Sequence, residues 1–313
     1  MKRLLLAALL VAGMVGGAHA EDEMSIQIDQ TFIKARTYLS QQNLTLTGSP
    51  SGRDDNAAFA QEAILFYGEA VGNPNPSLSP AQKEMGAKRA AVVVAQRAVV
   101  EYLNGFVLVG DTLVKDGVLE SDTIRSAVSG MVKGVQVVLQ EYSKEKDTAI
   151  AIVKVGMHGP KGFASMLYDK MLKDPELKSN LTEVDGKQAL RFKAKVEPLP
   201  ETYDGLIIDA TEQNFRPALI NRIFSAKSEL LYDPSKVSQK VLVEQGCGEY
   251  TNSVDKAKAA LESRGIKNPL IVKAVGTVSA ADLQVSDQDA TTIFSANQKG
   301  NFFAGAKVAF VLK

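Results

Sequence analysis

The chain has 313 residues, in which 36 Lys and Arg balance 36 Asp and Glu, and it contains one Cys and no Trp. That balance excludes the strongly basic footprint of a nucleic-acid binder, and a lone Cys247 excludes an intrachain disulfide in any compartment. A chain of this length is expected to fold as two compact domains.

Residues 1–20 have the three parts of a secretory signal in order: basic Lys2 and Arg3, the apolar run Leu4 to Val15, and the small-residue pattern Ala18-His19-Ala20. The run is too short for a permanent transmembrane anchor. Cleavage after Ala20 is expected, leaving a slightly acidic, soluble, periplasmic chain that begins at Glu21, with peripheral contact to the outer membrane as its closest approach to a bilayer. No cysteine lies near the cleavage site to carry a lipid. His158 becomes the only imidazole.

Residues 30–43 and 54–70 show apolar residues at helical spacing, separated by the breakers Thr47 to Gly52, and are read as a helical N-terminal extension over 21–72. Gly72 to Ser77 reads as a linker. A helix is expected from Pro80 to about Asn104, with Ser79 and Gln82 as a capping box and Ala91, Val92, Ala95, Val99, Tyr102 and Leu103 on its apolar face. Arg89, Gln96 and Arg97 interrupt that face and no heptad is sustained, which argues for core packing over a coiled coil or membrane helix. Phe106 to Val118 reads as strand with Gly110 and Asp116-Gly117 as turn or bulge positions, Thr123 to Lys133 as a helix capped by Ser121-Asp122, and Val135 to Tyr142 with Thr148 to Met157 as an antiparallel hairpin. A helix over 160–173 closes an α+β domain spanning 79–173, in which alanine-rich helices pack on one face of a small, mostly antiparallel sheet.

Residues 174–202 are charged and weakly periodic and read as a linker. A second, β-rich module is expected over 203–313. Its strands are placed at Gly205 to Asp209, Ala218 to Phe224, Ser228 to Tyr232, Leu270 to Val278, Asp282 to Val285 and Ala306 to Leu312, and its helices at Ser253 to Ser263 and Asp287 to Ala296.

No residues are assigned as catalytic, cofactor-binding or metal-binding. The turn Gly156 to Gly162 precedes a helix and could present amides to an anion, but its spacing fits neither phosphate-loop nor dinucleotide fingerprint, so it reads as a structural turn. His158 within it reads as a solvated loop histidine. Asp287 and Asp289 follow Ser286 in a helix-start pattern and lack the companion ligands of a calcium loop. Cys247, between two glycines and 89 positions from His158, reads as a buried thiol with no nearby base.

Three segments carry a family resemblance: AKRAAVVVAQRAVVEYLNGF, DTLVKDGVLESDTIRSAVSGMVKGVQVVLQEY and TAIAIVKVGM, within Ala87 to Met157. They resemble the bacterial lipoprotein family named for its twenty-kilodalton Lpp antigen, to which modules of the flagellar proteins FlgP and FlgT are related. Tyr203 to Val237 and Val275 to Leu312 look like the companion region of longer members. The resemblance implies a non-enzymatic envelope protein, without cofactor, whose partners are envelope or flagellar proteins or a second copy of itself. This chain lacks the lipid-bearing cysteine of that family. A second class stays open on the residues alone, a periplasmic small-ligand-binding or hydrolytic protein using carboxylates such as Asp204, Asp209 and Asp287.

Overall fold

The computed structural model describes residues 30–49, 52–114, 116, 121–133, 135–159, 161–175, 183–184 and 187–313. The signal segment therefore lies outside the described residues.

The first module is a three-stranded antiparallel sheet between helical layers. Its strands are β3 (Ala63–Val71), β6 (Gln136–Ser143) and β7 (Thr148–Gly156), in the order β3-β7-β6. Alternation along the central strand sorts side chains to two faces. Ala149, Ala151, Val153 and Val155 face one way, and Ile150 and Ile152 face the other. The first face receives α3 (Pro80–Asn104). That helix starts as the sequence predicts: the Ser79 Oγ accepts the Gln82 N–H at 3.3 Å, and the Gln82 side chain accepts the Ser79 N–H at 2.8 Å. Its small residues Ala87, Ala91 and Ala95 bring backbone against sheet. Gly68 on β3 makes this possible, because a Cβ there would lie 2.1 Å from the Ala91 carbonyl oxygen. Next to α3, α4 (Asp122–Lys133) and α5 (Phe163–Lys173) complete the helical layer.

The expected helix over 54–70 is corrected. Residues Asp55–Ala60 form the short α2, Glu62 takes a positive φ of 50° that ends it, and β3 follows. A short apolar run such as Ala63 to Tyr67 fits a helix and a strand equally by spacing, and pairing with β7 along all nine residues of β3 decides for strand. The N-terminal region is accordingly no extension. It supplies an edge strand, and α1 (Gln30–Gln41) covers the second sheet face, packing Ala35, Tyr38 and Leu39 against Leu65, Ile150 and Ile152. The tiny hairpin β1 (Gly48–Ser49) and β2 (Gly52–Arg53) joins the two.

The second module holds two sheets. One is wholly parallel, in the order β13-β17-β10-β14, from β10 (Gly205–Asp209), β13 (Glu249–Thr251), β14 (Pro269–Lys273) and β17 (Val308–Val311). The unbroken apolar runs of β10 and β17 follow from burial on both faces. On one face Ile207, Ala309 and Val311 meet Ala257 and Leu261 of α7 (Val254–Ser263), and on the other Leu206, Ile208, Val308 and Phe310 join the main core. The second sheet, β12-β11-β16-β15, mixes β11 (Arg222–Ser225), β12 (Leu230–Tyr232), β15 (Gly276–Ser279) and β16 (Asp282–Val285), with α8 (Asp287–Gly300) leading from it back to β17.

Three further expectations change. The single strand over 270–278 is two strands in different sheets, since the chain leaves β14 at Ala274 and enters β15 at Gly276. The strand over 218–224 begins only at Arg222, and residues 218–220 instead dock on the first module. The linker over 174–202 is corrected for its described part. β8 (Glu183–Val184) and β9 (Lys187–Gln188) form a hairpin. Beyond it the Phe192 N–H donates to Leu230 O at 3.0 Å, the Leu230 N–H donates to Leu190 O at 2.7 Å, and the Glu197 N–H donates to Ser295 Oγ at 3.0 Å. Backbone bonding and the Phe192–Phe294 ring contact tie 190–197 to the second module, despite its polar composition.

Candidate functional site at the module junction

The one cysteine, Cys247, and the histidine at 158 meet where the modules join. The first module sends out a hairpin, β4 (Val107–Val109) and β5 (Thr112–Leu113), which turns through Gly110 at a φ of 58°, a position the sequence marks as a turn or bulge. The Leu219 and Ile220 N–H groups donate to Val107 and Leu108 carbonyls at 3.1 and 2.9 Å, and Asp111 accepts the Ala280 N–H at 2.8 Å. Phe59 of α2 packs on Tyr250 of β13 with ring centroids 4.6 Å apart. Ser165 of α5 donates to the Val243 carbonyl on α6 (Gln239–Gln245). One hydrophobic cluster runs through both modules, from Ile64 and Val99 to Leu206 and Phe310.

Inside this junction lies Cys247, only 3% exposed. Its sulfur is 3.8 Å from the Tyr168 hydroxyl, its carbonyl accepts from the Tyr232 hydroxyl at 2.5 Å, and Tyr250 contacts Asn221 and the Ala218 backbone beside it. Burial pushes the thiol up to about 12, and pushes all three phenols well above their ordinary value. His158 and Cys247 line one small cavity of about 10 Å³, scarcely the size of a water molecule. Separation in sequence thus did not prevent their meeting.

The reading of His158 as a solvated loop residue is corrected. It is half-buried against Gly246, whose φ of +77° and missing Cβ make room: a Cβ there would stand 2.7 Å from His158 Nε2. Desolvation lowers the imidazole pKa below its ordinary value, with Glu249 pulling the other way. Its Nδ1 is buried without a hydrogen-bond partner among the described residues. With the thiol protonated and no carboxylate bonded to the imidazole, the pair lacks the activated base that nucleophilic catalysis needs.

The carboxylates do not converge. Asp204 accepts the Lys267 and Asn268 N–H groups, each at 2.8 Å, and braces a loop. Asp209 accepts the Thr211 hydroxyl at 2.6 Å, and this bond holds its pKa below the ordinary value. Asp287 and Asp289 sit in the first turn of α8, where Ser286 Oγ accepts the Asp289 N–H at 3.0 Å. Asp287 also lies 3.4 Å from the Lys227 ammonium. Among the described residues no three His, Cys, Asp or Glu cluster as metal ligands, and no helix is long and apolar enough to cross a membrane.

A buried pair that sequence reasoning missed links the hairpin's docking region to the second sheet. Arg222 of β11 forks onto Asp282 of β16, Nε donating to Oδ1 at 2.8 Å and Nη2 to Oδ2 at 2.5 Å, with Ser279 Oγ donating to Oδ2 at 2.6 Å. Only the parallel register of β11 and β16 brings these residues, 60 positions apart, opposite each other.

The parallel sheet, α7, α8 and the Arg222–Asp282 pair all lie in one segment of chain. Residues 205–313 match the family model of the second domain of Treponema pallidum Tp0624. The match covers most of the second module and leaves the first outside it. No curated protein matches the chain.

Proposed function

We propose that this chain is an exported structural or interaction protein of the bacterial envelope, acting in the periplasm by binding other proteins rather than by catalysis. The observation that carries this reading is the fate of its reactive side chains: the one thiol is buried and protonated where the two modules fuse, and the half-buried imidazole at 158 has no carboxylate bonded to it among the described residues. The signal-like N-terminus and the resemblance to the Lpp family with its FlgP and FlgT relatives support an envelope setting. Strand β6 offers the means of contact. It is an edge of its sheet, and Val137 on it is 47% exposed, so a partner strand or a second copy can add to it.

The alternative, a periplasmic small-ligand-binding or hydrolytic protein using carboxylates, is disfavoured by the dispersal of Asp204, Asp209 and Asp287, which bond to Lys267, Thr211 and Lys227 respectively. Deleting the gene tests the proposal: motility or envelope integrity should fall, and a chain carrying His158→Ala and Cys247→Ala that is exported at normal abundance should restore it. An unaltered envelope and unaltered motility in the deletion strain, or failure of that folded variant to restore them, would overturn the proposal.

A further inference from the structure

A solvent-open cleft of about 380 Å³ lies on the first module, where the start of β6, the end of β7 and the turn into α5 meet; Lys154, Lys161, Gln136, Met131, Val155 and His158 are among its lining residues. Its size falls in the range of small-molecule sites.

Its charge is one-sided. Lys154 and Lys161 both line it, and among the described residues neither has an ion-pair or hydrogen-bond partner and no acidic residue lines the cleft. Gln136, the register partner of Lys154 across the β6–β7 ladder, adds an amide. Gly156 and Gly162 bring backbone to the wall without side chains, and Gly162 is the N-cap of the 11-residue α5. His158 lines both this cleft and the small junction cavity.

Two unpaired ammonium groups match a dianion better than a single carboxylate, which would leave one of them unsatisfied. The volume exceeds that of a bare phosphate, and Met131 and Val155 provide an apolar wall for an organic body. We propose that this cleft binds a small phosphate monoester of the glycerol 3-phosphate type, its phosphate held by Lys154 and Lys161. This inference does not rest on the envelope role, and its failure would leave that role standing.

Calorimetry with glycerol 3-phosphate at low ionic strength tests it, with glycerol as the uncharged control. Saturable binding is expected at about 1 mM or tighter, with none for glycerol. The Lys154→Ala/Lys161→Ala chain, shown folded by its unchanged unfolding midpoint, should bind roughly tenfold more weakly, and Lys154→Arg/Lys161→Arg should restore binding. Two sources share this chemistry, and vesicles separate them. Co-sedimentation with phosphatidic acid vesicles but not phosphatidylcholine vesicles, lost in the double alanine variant, assigns a lipid headgroup; glycerol 3-phosphate binding without co-sedimentation assigns a free ligand. Absence of binding to both probes, or equal affinity in the folded alanine variant, would overturn the proposal.

Discussion

Asp282→Ala should destabilise the protein by about 3–5 kcal/mol, because it leaves the Arg222 guanidinium charged, buried and without its counter-ion. Both side chains are almost wholly enclosed, at 4% and 0% exposure, and the carboxylate takes three hydrogen bonds, two from Arg222 and one from Ser279. Arg222 also donates to the Glu183 carbonyl, so its displacement would disturb the β8–β9 hairpin as well. The size of the effect reflects the orphaned charge more than the strength of the pair. Replacing both partners by apolar residues of similar volume, as in Arg222→Met/Asp282→Leu, should therefore recover most of the loss. Urea unfolding of the wild type, the single variant and the double variant measures both quantities. A single variant within about 1 kcal/mol of wild type would place the pair in solvent-like surroundings, contrary to its burial here.

The Cys247 thiol should react with a maleimide at neutral pH at least about a thousandfold more slowly in the folded chain than in urea, since only the thiolate attacks. The factor follows from the shift of its pKa from 9.0 to about 12, each unit removing nine-tenths of the thiolate. Burial beneath Tyr168 and Tyr232 slows the reaction further. The same shift has a consequence for stability. An acid whose pKa is raised by folding ionises first in the unfolded chain, so the folded state loses ground as pH climbs from about 9 towards 12. Tyr168, Tyr232 and Tyr250 add to the loss in the alkaline range, all three being raised by desolvation. Stability against urea should therefore fall steeply above the ordinary thiol pKa. Rapid labelling of the native protein, with the denaturation midpoint unchanged into that range, would contradict the enclosed junction.

Much of the local structure is legible in the residues, for reasons that are themselves local. The Ser79 and Gln82 capping box places the start of α3, and Ser253 and Ser286 place α7 and α8 through the same kind of bond to the N–H three residues on. The charged turn between β6 and β7 fixes their hairpin, whose positive-φ residue is Asp147. What escapes is whatever depends on a distant partner. Ala63 to Val71 becomes a strand because β7 pairs with it along its whole length. The glycine at 68 is the one sequence signal for that outcome, since glycine within an apolar run marks close backbone approach. The unbroken apolar runs GLIID and VAFV carry the signal of a parallel sheet, which a reading of the second module as simply β-rich passed over. Short elements such as α6 and β13 left no periodicity long enough to detect.

The junction shows the same division more sharply. That Cys247 is buried follows from its residue type, while its place beside His158 does not follow from any spacing. His158 was legible as a loop residue and illegible as an interface residue, because the chain that desolvates it, around Gly246, comes from the other module. The turn Gly156 to Gly162 has the amides of an anion site but the spacing of no phosphate-binding fingerprint. The lysines that give it a charged cleft are one on the preceding strand and one in the turn itself.

We propose that this chain works by presenting a folded edge to a partner. A photo-crosslinking residue at Val137 on β6, compared in living cells with the same residue at exposed Lys258 on α7, tests it most directly. The account predicts a discrete adduct from position 137, with an envelope protein or a second copy of the chain, and none from position 258. Exported, folded protein that yields no adduct from position 137, or the same adducts from both positions, would contradict it.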